Sequence, residues 1–486
     1  MPYAFDPHVE HLLRRAGFGG RPDEIDTYRA ESFTGAVSRL INYDRIPDDV
    51  DTKIGRPGYA GTTSRGPFSP NTSIVDARQR WLFRMIHTER PLQEKMTLFW
   101  HNHFATAYAK LAGQVGAADA TRYMAARPAE DPGQVRGQIE MIRDNALGNF
   151  RDLLVNIARD TAMLLWLDGY TNTRQRPQEN FGREIMELFT MGVGHYTEED
   201  VYAAARVFTG WNLTRRGPAG DRTSRFEFLY IPNNHDTSAK TFTFPIYGDG
   251  GRTIPARSAA QGMQDGLDLI DALAASPHTA RYLATKLYRF FISEFADVDQ
   301  PWVERVASVY QTSRYDMKAV MREVLLSNQF WDQRHFFARY SWPVEFAVRV
   351  VKDVGWTGFS VFDMVTPLGN MGQNLYDPPD VAGWDLGKGW FSTGSMLARM
   401  NFASTLAANQ RFNLANRARP AASSPAALVA HVLESLRTPA LDRAVTGELA
   451  DYVLATGPWT GSLPQLQAKV PGLVHLVAGT PEYQFV

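Results

Sequence analysis

Apolar positions along the 486-residue chain recur mostly three and four residues apart, the period of helices that bury one face. Pro91 suits the first turn of a helix, and Met96, Phe99, Trp100 and His103 then share one of its faces. Further helices are predicted over 135–144 and over 150–167, where Leu153, Leu154, Ile157 and Ala158 repeat at three and four. Another opens at Pro177 and stops at Gly192 or Gly194, and Thr197 caps its successor with Asp200 three residues on. From Ile254 the pattern resumes near 259–274, 278–296, 301–313, 316–328 and 341–354. One region breaks the rule. Phe226, Phe228 and Tyr230 alternate, and Thr241-Phe242-Thr243-Phe244 alternates again beyond the turn-rich Pro232–Asp236, which predicts a small β-hairpin or irregular arm. Stretches 44–73 and 414–425 read as a long loop and a polar connection. No repeat period of a solenoid is present. The expectation is a mainly α protein: a large multi-helix domain over 1–413 with a β-rich arm at about 214–256, and a C-terminal helical extension over 414–486.

Charge narrows the partners. Lys and Arg number 51 against 52 Asp and Glu, a net charge of −1, which argues against an electrostatic nucleic-acid binder because phosphate neutralisation needs a basic excess. No apolar run reaches the roughly 18 residues of a transmembrane helix. The opening Met1-Pro2-Tyr3-Ala4-Phe5-Asp6 lacks the basic and apolar regions of a signal peptide; the chain as given reads as cytoplasmic, or as exported if a leader was removed. Cysteine is absent, so thiol nucleophiles, disulfides and zinc-thiolate sites drop out, and any metal must be held by His, Asp, Glu or carbonyls. There is no Gly-x-Ser-x-Gly elbow, Walker A loop, His-Glu-x-x-His or dinucleotide fingerprint.

What remains for chemistry is carboxylate and imidazole. On an ideal helix Asn180, Glu184 and Glu187 fall within about 60° of arc beside the apolar stripe of Phe181, Ile185 and Leu188. Two such carboxylates can ligate a divalent metal or divide into acid and base; the plainer readings are a solvated face or, the commoner outcome, pairing with Arg183 and Arg206 to tie helices together. His101 and His103 in Trp100-His101-Asn102-His103 would point about 200° apart on a helix, so the plainer reading packs one in the core and turns the other to a polar cavity. His195 lies between two helices, where it can reach a site or simply bond a helix end. His235 and Asp236, with Lys240, form a polar turn in the arm, a common place for site residues and for ordinary turns alike. Trp211 and Trp384 offer aromatic surface for sugar rings, although packing is the favoured reading for most of Trp331, Trp342, Trp356, Trp384 and Trp390.

These blocks together resemble a known family. His11-Leu12-Leu13-Arg14-Arg15-Ala16-Gly17-Phe18-Gly19, Phe99–Phe104, Glu179–Gly192, Ala205–Trp211, His235-Asp236 with Lys240, Pro378–Trp384 and Leu397–Phe402 are similar, in order, to the bacterial domain of unknown function 1800. The resemblance implies no secure activity. It implies mostly exported members whose genes often neighbour a second family resembling sulfatases and phosphatases, hence a partner protein of that kind. Gln178 stands where the family usually has Asn. Three functions stay open. The first is a hydrolase of a polysaccharide or envelope polymer using Glu184, Glu187, His195, His235 and Asp236 as acid–base groups, with His101, His103, Asn180, Arg183, Arg206, Trp211, Lys240 and Trp384 holding substrate. The second is a metal-dependent enzyme with a His/Glu site and a divalent cation. The third is a non-catalytic scaffold of an envelope or secretion assembly.

Overall fold

Helix starts follow the local signals closely. Proline occupies the first turn of Pro91–His103, Pro277–Phe291 and Pro343–Val354, where its missing N–H is not needed. The computed structural model describes residues 7–218 and 221–486; the opening residues 1–6, whose composition argued against a leader, lie outside the described residues. Among the described residues there are 24 α-helices and two two-stranded sheets, so the protein is mainly α with a small β insertion. No described helix is long and apolar enough to cross a membrane.

One predicted helix is two. The 150–167 segment divides into Phe150–Arg159 and Thr161–Trp166, because the Asp160 carboxylate accepts the Met163 N–H at 2.8 Å and starts a new helix. The 414–425 connection is also more structured than its composition suggests. It holds the helical turn Leu414–Arg417 and a 3-10 turn at Arg419–Ala421, with Ala418 buried between them. The C-terminal end returns to the body. Val486 N–H donates to Arg339 O at 2.9 Å, and Arg15 of the first helix donates to Val486 O at 2.9 Å.

Ile74–His87 and Pro91–His103 are buried on nearly every side, although both carry charged residues. Glu94, fully enclosed, accepts Trp81 Nε1–H at 2.9 Å, Arg84 Nε–H at 2.6 Å and Arg143 Nε–H at 2.9 Å. Lys95 pairs with Glu345, which also takes Arg339. These buried charges are paired, and buried Asp76 is held instead by hydrogen bonds from Ser64, Ser69 N–H and Gln79, which offset the cost of desolvation.

The arm contains strands where alternation predicted them, but with other partners. β1 (Trp211–Arg216) pairs antiparallel with β2 (Arg225–Tyr230), in register Trp211 to Tyr230. The 241–244 stretch contributes only to β3 (Lys240–Thr241), which pairs with β4 (Thr253–Ile254). Gly210, at φ +84°, turns the chain out of the preceding helix, a conformation costly for other residues. Trp211 is thereby buried against Gly266, where even a Cβ would meet the indole at 2.3 Å. That anchor commits 211–216 to β2.

Candidate functional site

The helix Glu179–Glu187 buries Phe181, Ile185 and Met186 and leaves Glu184 and Glu187 half-buried on its other side. Its neighbour, Glu198–Val207, starts with the predicted box: Thr197 N–H donates to Asp200 Oδ2 at 2.8 Å, and Asp200 N–H to Thr197 Oγ1 at 3.4 Å. Asp200 also accepts the Thr243 N–H at 2.7 Å, which ties the arm to this helix start. Thr197→Ala is expected to cost about 1 kcal/mol, read as a lower urea midpoint at unchanged slope.

Neither arginine of the pairing alternative reaches the two glutamates. Arg183 grips Glu198 with both terminal nitrogens, at 2.8 and 2.7 Å, and Arg206 pairs with Asp236 at 2.8 Å. Glu187 instead accepts the Tyr196 hydroxyl. The Glu184 side chain makes no hydrogen bond or ion pair among the described residues, and partial burial, then Glu187 one turn on, push its carboxyl up to about 7. Asp160, also raised to about 7 by burial, is a useful contrast. Its bonds from Met163 N and Gln138 Nε2 account for it as a helix cap, whereas nothing structural occupies Glu184.

A second helix, Pro277–Phe291, contributes groups that sequence reasoning did not select. His195, exposed in its loop, stacks on His278 with ring centroids 3.8 Å apart; burial and then His195 lower the His278 pKa. One turn further, the Tyr282 hydroxyl is raised to about 12 by burial and by Glu187. A turn beyond that, Lys286 Nζ lies 5.3 Å from the Tyr282 ring centroid. Lys286 has no carboxylate partner among the described residues, and burial lowers its ammonium to about 8. The signal was available: His278, Tyr282 and Lys286 are spaced i, i+4, i+8 on one helix face. Nothing local said which helix they would face.

His103 approaches the same region from the end of Pro91–His103. Its Nε2–H donates to Phe189 O at 3.0 Å, its Nδ1 has no partner, and its ring centroid lies 6.3 Å from that of Tyr282. Burial, then Lys286, hold it neutral, well below its ordinary pKa. His101 points elsewhere, into an aromatic box of Trp81, Tyr376 and Trp384, with neither ring nitrogen bonded. Burial alone lowers it to about 3. Trp384 is closed to solvent there, so it presents no face to a substrate. Asn180 is exposed at the start of its helix.

His235, Asp236 and Lys240 form a separate, closed network. His235 Nδ1–H donates to Thr209 O at 2.9 Å, and its Nε2 lies 3.2 Å from Asp265 Oδ2. Lys240 Nζ and Arg257 Nη1 donate to Asp265 at 2.5 and 2.7 Å. Burial tends to raise the Asp236 carboxyl, but its bonds from Arg206 and Ser238 hold it below the usual range. His235, Lys240 and Trp211 are sealed from solvent. None of the hydrogen bonds, ion pairs or ring contacts of this network reaches Glu184 or Glu187. Among the described residues no three or more His, Asp or Glu side chains gather as a metal cage, and His101, His103 and His195 do not converge.

Fold and site together define a helical protein with a small β arm and a half-buried carboxyl pair whose Glu187 is approached by two phenols, Tyr196 and Tyr282. The chain belongs to the family described as a protein of unknown function, DUF1800, whose profile matches residues 11–485. No curated protein and no solved structure matches it.

Proposed function

We propose that the chain hydrolyses a polysaccharide or related envelope polymer by acid–base catalysis at Glu184 and Glu187. The observation that carries this reading is the unpaired Glu184 carboxyl, raised to about 7 beside a second carboxylate held by Tyr196. Paired carboxyls in unequal environments are how one fold supplies an acid and a base together. Glu184 donates its proton to the leaving oxygen as the C–O bond breaks. Glu187 takes a proton from the water whose oxygen bonds to carbon, and solvent restores both groups. The open position of the pair suits a long substrate, and the rings of Tyr196 and Tyr282 offer apolar faces to sugars.

The test is release of reducing ends from a panel of neutral and acidic polysaccharides by the full chain and by the Glu184→Ala/Glu187→Ala double variant. Release by the parent chain and none by the double variant supports the proposal. Equal release by both, or release from no polymer, overturns it.

A further inference from the structure

A cavity of about 930 Å3 opens between the helix Pro22–Arg29, the end of Pro343–Val354 and the C-terminal helix Pro425–Ser435. It lies apart from the carboxyl pair, since no residue of that site lines it. Its volume falls within the roughly 300–1,000 Å3 of small-molecule sites. Ile25, Val354, Trp356 and Phe412 supply apolar wall.

The charges around it are unevenly satisfied. Glu10 is neutralised by Arg437 Nε at 3.0 Å, and Asp353 by Arg437 together with the Tyr483 hydroxyl at 2.7 Å. Lys352 spends its charge on Glu24, at 3.3 Å. Three lining arginines have no carboxylate. Arg29 makes no hydrogen bond or ion pair among the described residues, and its Nε is buried without a partner. Arg417 and Arg411 donate only to the carbonyls of Val354 and Gly358. Burial, then Arg437, lowers the Arg417 pKa, so an anion arriving there relieves a standing cost. Glu10 and Asp353 act on Arg29 and Arg417 from beyond pairing distance, and Glu434 is a further lining acid.

We infer that this cavity binds a free small amphipathic anion, its apolar body against Ile25, Val354, Trp356 and Phe412 and its carboxylate or phosphate head on Arg29 and Arg417. The guanidinium fork matches such heads in two parallel hydrogen bonds. Calorimetric titration of the full chain with dodecanoate, below its micelle concentration, tests the inference. Saturable binding at one site is expected, with Kd of about 1–100 μM. Dodecan-1-ol, lacking the charge, should bind about tenfold more weakly or worse. Arg29→Met with Arg417→Met should lose about tenfold in affinity at unchanged thermal midpoint. Ser435→Phe, which leaves both arginines in place and projects a ring into the cavity, should weaken binding. No saturation by about 1 mM, equal affinity for the alcohol, or undiminished binding by both variants overturns the inference. So does binding seen only to anionic phospholipid vesicles, which would mark a membrane surface instead.

Discussion

Glu184→Gln is expected to lower kcat by about 10²–10⁴-fold, the usual worth of a positioned general acid, with KM little changed. Glutamine keeps the shape and removes the acidic proton. The pH profile carries the sharper signature. A general acid must be protonated, so the parent chain keeps activity on the acidic side and loses it as pH rises through about 7. In the glutamine variant the residual rate should lack that limb. An unchanged kcat removes Glu184 from the reaction. Stability gives a second readout that needs no substrate. A carboxyl whose folded pKa lies above its ordinary value of 4.5 binds its proton more tightly when folded. Its contribution is therefore fully present below about 4.5 and is lost as pH rises through about 7. Urea unfolding at stepped pH should show a decline across that window in the parent chain and a flatter one in Glu184→Gln. A flat profile in both would show that Glu184 titrates normally.

Asp265→Ala is expected to destabilise the protein by about 3–5 kcal/mol, the cost of leaving buried charge unpaired. Asp265 is the common acceptor for Lys240 and Arg257, and lies 3.2 Å from His235. Without it the fully buried Lys240 ammonium keeps only the Asp236 carbonyl and the imidazole of His235. Because β3 begins at Lys240, hydrogen exchange should quicken first over 240–254 while the Ile74–His87 and Pro91–His103 helices stay protected. A loss below about 1 kcal/mol, the scale of an ordinary substitution, would mean that packing of Trp211 and not the ion network holds the arm.

Glu184 and Glu187 share a helix face because of backbone geometry alone, so their pairing was legible. That Arg183 would pair with Glu198, and with Glu179 at 3.7 Å, and leave Glu184 and Glu187 was not, since the choice depends on how two helices cross. His235 and Asp236 were legible as a polar turn, yet the same letters serve an open site or a closed network. Asp265, 30 residues further along, decided between them. The arm's strands were visible as alternation, but their partners depended on Gly210 and the burial of Trp211.

From its sequence alone, then, the chain is a cysteine-free, charge-balanced, mainly helical protein with a short β arm and two carboxylates on one helix face. These properties follow from composition and from periods of two and 3.6 residues, which act over a few neighbours. Only the tertiary structure decided that Glu184 stands unpaired, that Tyr282 comes to Glu187 from about a hundred residues away in the chain, and that three of the cavity arginines lack a paired carboxylate among the described residues. Burial and charge pairing are set by what packs across helices, and packing joins residues whose separation in sequence carries no local signal.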